Sequence, residues 1–228
     1  MSLMDAAIGW LAPPDCLGCG IEGSAICNEC TGAFIKPFGE RCWRCDRLSA
    51  SSKTCLACRS AGPLSHVFIS TDYEHLAQNL VQRYKFGHLR AAAQPLAGIM
   101  VQTLREASIM NPDELLVVPV PTATSRVRQR GFGHSELLSR TIAAKLRVES
   151  SLALRRLGQT RQLGAKREDR LAQLNGSFIV KNHRRISGRR VLLVDDVLTT
   201  GGTLIAASNA LKAAGAKEVN ALVFAKKL

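Results

Sequence analysis

Val191-Leu-Leu-Val-Asp-Asp-Val-Leu-Thr-Thr-Gly-Gly-Thr-Leu204 joins an apolar run to two acids and then to a turn of small residues. Val191, Leu192, Leu193 and Val194 are continuously apolar, the pattern of a strand buried on both faces of a parallel sheet. Such a strand delivers Asp195 and Asp196 to its carboxyl end, where ligands sit in open α/β sheets. Leu198, Thr199, Thr200, Gly201, Gly202 and Thr203 then combine glycines, which let backbone N–H groups converge, with threonine hydroxyls as further donors. A helix following this turn aims its positive end at the same place, so the expected guest is an anion such as phosphate. Carboxylates facing that anion would repel it. They are expected to face sugar hydroxyls or Mg²⁺ instead, a division of labour that suits a ribose phosphate. A plain strand ending in an Asp-rich turn explains the Asp-Asp pair alone but not the whole string.

On either side the pattern alternates between helix-like and strand-like segments. Residues 74–84 and 96–104 read as amphipathic helices, 66–70 and 115–119 as strands, and 135–146 as a helix. Residues 178–180 read as a short strand, 202–214 as a helix with Gly215 as its C′ residue, and 218–225 as a returning apolar strand. This alternation predicts an α/β fold, a mostly parallel sheet flanked by helices. Residues 59–63, Arg-Ser-Ala-Gly-Pro, have the composition of a connector, and every cysteine lies before them. The expected division is residues 1–62, an N-terminal helix with a cysteine-rich module, and residues 63–228, the α/β domain.

The eight cysteines form four CxxC pairs, Cys16/Cys19, Cys27/Cys30, Cys42/Cys45 and Cys55/Cys58. A CxxC turn presents two sulfurs to one tetrahedral Zn²⁺ at about 2.3 Å, and two turns close a structural site, so eight thiolates suit two zinc ions. A disulfide framework belongs to oxidising compartments, whereas residues 1–12 show no basic n-region and too short an apolar stretch for export; a cytoplasmic protein with reduced thiols is expected. An Fe–S cluster also takes four cysteines, but Gly20 after the first knuckle resembles a zinc ribbon more closely. Sequential pairing of the CxxC turns is the simplest choice, and interleaving stays open. Closed sites of this kind serve folding and docking. Arg41, Trp43, Arg44 and Arg47 around the third knuckle could meet nucleic acid or simply form its solvated surface.

The totals set the bounds. Lys and Arg number 31 against 18 Asp and Glu, a net charge of +13; each Cys₄ zinc site carries −2, so two would lower this to about +9. Either value favours polyanionic partners. An apolar fraction of 46% with 21% charged residues excludes a disordered tail, and no apolar run approaches the roughly 20 residues that span a bilayer. Aromatic residues make up only 5%, which leaves few platforms for stacking bases.

The string ending at Thr203 resembles the 5-phosphoribosyl-1-pyrophosphate (PRPP) signature of type I phosphoribosyltransferases. Taken with the four CxxC pairs, Tyr84-Lys85-Phe86, Val118-Pro119-Val120-Pro121, Arg130-Gly131-Phe132 and residues 160–178, in this order, the chain resembles the competence protein F (ComF) family over nearly its full length. That resemblance implies a double zinc ribbon ahead of a PRPP-binding domain. The loop 198–203 would take the 5-phosphate, and Asp195 and Asp196 the ribose hydroxyls, one of them through Mg²⁺. Val118, Pro119, Val120, Pro121 and Thr122 would form the pyrophosphate loop, followed closely by Arg126, Arg128 and Arg130. Residues 160–170 match a mobile loop in which Lys166, Arg167 and Arg170 would stabilise departing pyrophosphate.

Phe132-Gly133-His134 stands where the family commonly has Phe-Asn-Gln, and Gln173 where Asn is usual; His134 reads as a helix-start residue ahead of a ligand contact. Thr199 occupies the place of an Asp in 6-oxopurine enzymes, which makes the loop more like the orotate type. The resemblance implies PRPP-dependent transfer to a nitrogen acceptor. Alternatives are a competence protein handling single-stranded DNA in DNA uptake, and a PRPP sensor without turnover.

Overall fold

The computed structural model describes residues 13–86, 89–107, 115–122, 133–157 and 177–227. The expected N-terminal helix, Arg126, Arg128, Arg130, Lys166, Arg167, Arg170 and Gln173 lie outside the described residues. In the cysteine-rich segment, α1 (Asn28–Phe34) starts at the second CxxC turn, where the Cys27 sulfur caps it by accepting the Cys30 amide at 3.4 Å.

The α/β part follows as β1 (Leu64–Asp72), α2 (His75–Phe86), α3 (Ala93–Glu106), β2 (Leu115–Pro119), α4 (His134–Leu146), β3 (Glu149–Ser150), β4 (Leu154–Arg156), β5 (Phe178–Val180), β6 (Arg190–Leu198), α5 (Gly202–Ala213) and β7 (Glu218–Lys226). One sheet has the order β1-β7-β6-β2-β3, each neighbouring pair parallel. A separate antiparallel ladder joins β4 to β5. The predicted α/β class is therefore the observed one. Gly215, with φ +89°, stands just past the end of α5, as its C′ position requires.

The continuous apolar runs are explained by burial on both faces. Along the strands, Phe68, Leu115, Val117, Leu192, Val194, Leu222 and Phe224 face one core with α2, α3 and α4. Their neighbours Val67, Ile69, Leu116, Val118, Val191, Leu193, Val219, Ala221 and Val223 face a second core with α5. At roughly 25 cal/mol per Å² of apolar surface removed from water, these two layers supply the main driving force for folding. The cysteine-rich residues feed both: Cys16, Ala25, Ile26, Cys30 and Ile35 join the first core, and Phe38 and Trp43 the second. Among the described residues no helix is long and apolar enough to cross a membrane.

Candidate functional site

β2 and β6 lie side by side, Pro119 opposite Val194, and the Val120 amide donates to the Val194 carbonyl at 2.9 Å. Beyond β2 the sheet continues to β3, and beyond β6 it continues to β7. The helix following β2 packs in one core and the helix following β6 in the other. The carboxyl ends of β2 and β6 therefore open on a topological switch point, the crevice where open α/β sheets take ligands. Two segments singled out in the sequence, 118–122 and 195–203, lie at the carboxyl ends of these adjacent strands.

The loop after β6 is built around Gly201, which has φ +77° and forms the N-cap of α5 with no side chain capping it. The first-turn N–H groups of this 12-residue helix are thus available to an anion. Thr199 and Thr200 are exposed, Thr203 is half-buried, and Leu198, Gly201 and Gly202 are buried. On the other side of the crevice Val118 and Val120 are buried, while Pro121 and Thr122 are half-buried. The Thr122 hydroxyl lies 3.4 Å from that of Ser135 in the first turn of α4.

The regular alternation of β6 breaks at its acids, since Val194 and Val197, three residues apart, both pack against the first core. Asp196 is buried, with Lys85 Nζ 2.7 Å from Oδ1 and His134 Nε2 3.0 Å from Oδ2. Tyr84, fully buried, donates its hydroxyl to the His134 carbonyl at 2.6 Å and meets the His134 ring edge-on. The last turn of α2 and the first turn of α4 are in this way fastened to the end of β6. Burial alone would raise the Asp196 carboxyl, but the hydrogen bond from His134 and the charge of Lys85 hold it below the usual carboxylate range. Asp195, half-buried, accepts the Asp196 amide at 3.0 Å. Burial, and then the neighbouring Asp196 charge, push its carboxyl up to about 7. Adjacent acids held in such different environments are a feature that functional sites share with structural ion-pair networks.

Lys85 and the side-chain contact of His134 are what sequence reasoning missed. His134 does start α4, as expected, but its ring also reaches Asp196. Tyr84-Lys85-Phe86 was visible only as a family likeness. No local periodicity shows that Lys85 reaches a carboxylate 111 residues further along the chain.

The cysteines gather in two sets of four, Cys16, Cys19, Cys27, Cys30 and Cys42, Cys45, Cys55, Cys58, with the sulfurs of each set within 4.8 Å of one another. Pairing is sequential. The Cys19–Cys27 and Cys45–Cys55 sulfurs are 3.8 and 3.6 Å apart, close to the roughly 3.8 Å edge of a tetrahedron with Zn–S near 2.3 Å. Backbone N–H groups of Gly18 and Cys27 point at the Cys16 sulfur at 3.4 and 3.3 Å. Against the effect of burial, such donors pull the Cys16 and Cys42 thiols down to about 6. Burial and crowding by sister thiols push Cys30 and Cys58 up to about 12. Four thiols so arranged ionise together only around a cation, and both sets could hold zinc.

Comparison with known proteins agrees with this geometry. The family model described as phosphoribosyl transferase domain matches residues 92–228. Competence protein F of Haemophilus influenzae is 28% identical over 212 residues, spanning 90% of this chain and 86% of that protein. Competence protein ComFC of Streptococcus pneumoniae is 26% identical over 87% of this chain and 86% of its own length. The adenine phosphoribosyltransferase of Nocardia farcinica is 42% identical over 98 residues, 42% of this chain and 49% of that enzyme. The cysteine-bearing N-terminal segment and the α/β part together thus follow the ComF pattern expected from the motifs.

Proposed function

Because this chain belongs to the phosphoribosyl transferase domain family, we propose that it binds PRPP with Mg²⁺ between β2 and β6 and transfers the phosphoribosyl group to a nitrogen acceptor. The observation that carries this reading is that Asp195, the turn leading into an uncapped helix N-terminus and the 118–122 segment all follow the carboxyl ends of two adjacent strands at a switch point. In this reading the first-turn amides of α5 with Thr199, Thr200 and Thr203 bind the 5-phosphate. Asp195 takes the ribose hydroxyls. Asp196, engaged by Lys85 and His134, holds the end of β6 and those two side chains in register.

Residues 118–122 take the pyrophosphate, with Arg126, Arg128 and Arg130 following and Lys166, Arg167 and Arg170 closing from the 160–170 loop. When bound, Mg²⁺ supplies charge neutralisation for a polyanion. The C1–oxygen bond breaks with its electron pair leaving on pyrophosphate, and the acceptor nitrogen forms the new bond to C1. The nitrogen's proton passes to solvent or a nearby base. Residues 1–62 form a zinc-bound module docked on the transferase domain of residues 63–228, in a compartment that keeps thiols reduced.

A second reading has its own support. The relatives named for competence, together with the net charge of +13, favour a role in DNA uptake with single-stranded DNA held against the same phosphate-binding surface. Pyrophosphate release separates the two. With PRPP and Mg²⁺ present, adenine is the first acceptor to offer, then orotate and other nitrogen heterocycles. Acceptor-dependent pyrophosphate release supports transfer. PRPP binding without release means a sensor, and DNA binding alone, weakening steeply with salt, means the second reading is right.

A further inference from the structure

Trp43 sits between the cysteines of the second cluster and the loop after β6. A Cβ added to Gly201 would lie 2.3 Å from Trp43 Cζ3, 2.9 Å from Cη2 and 3.2 Å from Cε3, so the six-membered ring of the indole rests directly on the Gly201 backbone. The indole is itself held. It is 3% exposed, and its Nε1 donates to the Thr54 hydroxyl at 3.1 Å, which donates on to the Leu64 carbonyl at 2.8 Å. Trp43 follows Cys42 and Thr54 precedes Cys55, so this hydrogen bond ties together the two arms of one cluster.

The docking is reinforced beside the loop. Asp46, at the end of the same knuckle, pairs with Lys226 of β7, and the next amide, Lys227, donates to the Leu198 carbonyl at 2.8 Å. Arg41, one residue before Cys42, lies 3.6 Å from Asp72 and over the Phe38 ring. The first cluster is placed differently: its Cys16 and Cys30 belong to the core of α2 and α3, on the other face of the sheet from Trp43.

We propose that Trp43 is a positioning residue through which the second four-cysteine cluster sets the conformation of the anion-binding turn, so that metal occupancy of this cluster controls anion affinity at α5. The inference rests on reading that turn as the phosphate site. The physical reason is that Gly201 sits in a left-handed conformation with no side chain to lock it. The indole edge is its lateral support, and the indole stays in place only while both arms of the cluster are gathered on a metal. Loss of the metal frees residues 55–58 and, with them, the Thr54 anchor.

Hydrogen exchange of residues 198–205 tests this without any ligand, because the Ile205 amide donates to the Gly201 carbonyl at 2.9 Å and reports on that residue. The full-length zinc-loaded protein is compared with Trp43→Ala, Trp43→Phe and the double variant Cys55→Ser/Cys58→Ser, and each is titrated with ribose 5-phosphate. In Trp43→Ala and the double cysteine variant, exchange of this segment should rise about tenfold and ribose 5-phosphate affinity fall by a similar factor, a coupling of ordinary size for linked sites. Trp43→Phe, which keeps a ring on Gly201, should restore most of both. Unchanged exchange in Trp43→Ala with zinc retained overturns the proposal. If exchange responds but the wild-type protein binds no ribose 5-phosphate, the coupling stands and the reading of the turn as a phosphate site fails.

Discussion

Asp195 and Asp196 are neighbours in the chain with opposite electrostatic fates. Asp196 is held ionised by Lys85 and His134, whereas Asp195 is raised to about 7 by burial and by the charge next to it. A carboxyl raised in the folded state favours folding most below its unfolded value near ~3.9, and that advantage is lost as pH climbs through about 7. Asp195→Asn removes the penalty of the ionised form. The unliganded variant should therefore be more stable than wild type by about 1–2 kcal/mol above pH 7, the gain shrinking towards pH 4, as thermal unfolding across that range would measure. No gain at pH 8 would mean that Asp195 is not strained by its surroundings. At this scale the sequence was only partly legible. The two acids and the eight cysteines announced themselves by local spacing, which is how strand ends and metal knuckles are written. Lys85 and the ring of His134 did not, because their partner arrives through tertiary packing of α2 and α4 on β6.

The elements were more legible than the residues. β2, β6 and β7 each contain a short continuous apolar run, and the segments that become α2 and α3 carry an amphipathic period. β3 and β4 were not anticipated: two and three residues are too few to show a period, and they exist because β2 and β5 offer them partners. The turn between β6 and α5 was read as an anion cradle from its glycines. Its contact with Trp43, 158 residues earlier, was beyond any local signal. That contact makes a sharp prediction. Gly201→Ala combines a positive φ with a Cβ 2.3 Å from the indole, and should cost roughly 2–4 kcal/mol of stability in denaturant unfolding. Adding Trp43→Ala removes the clash but not the backbone strain, so the double variant should lose less than the sum of the two single changes. Strict additivity would show that the ring and the turn do not touch.

Across the whole molecule, the sheet brings together what the chain scatters: an apolar strand with two acids, a proline-bearing segment at the end of β2, and a cysteine-rich ribbon whose tryptophan lies against the turn. The cysteine-rich segment contributes side chains to both cores, so the two four-cysteine sets and the α/β part share packing. The chain carries a formal net charge of +13, while the two acids at the end of β6 are buried or half-buried, a balance suited to a polyanionic partner. On the proposed reading, this crevice binds PRPP through the 195–203 segment. Titration calorimetry of the zinc-loaded protein with PRPP and Mg²⁺, set beside Asp195→Asn/Asp196→Asn, tests it most directly. Saturable one-site binding is expected of the wild type and none of the double variant, with both four-cysteine clusters still metal-bound. Equal affinity in the two proteins, or no binding by the wild type, would contradict it.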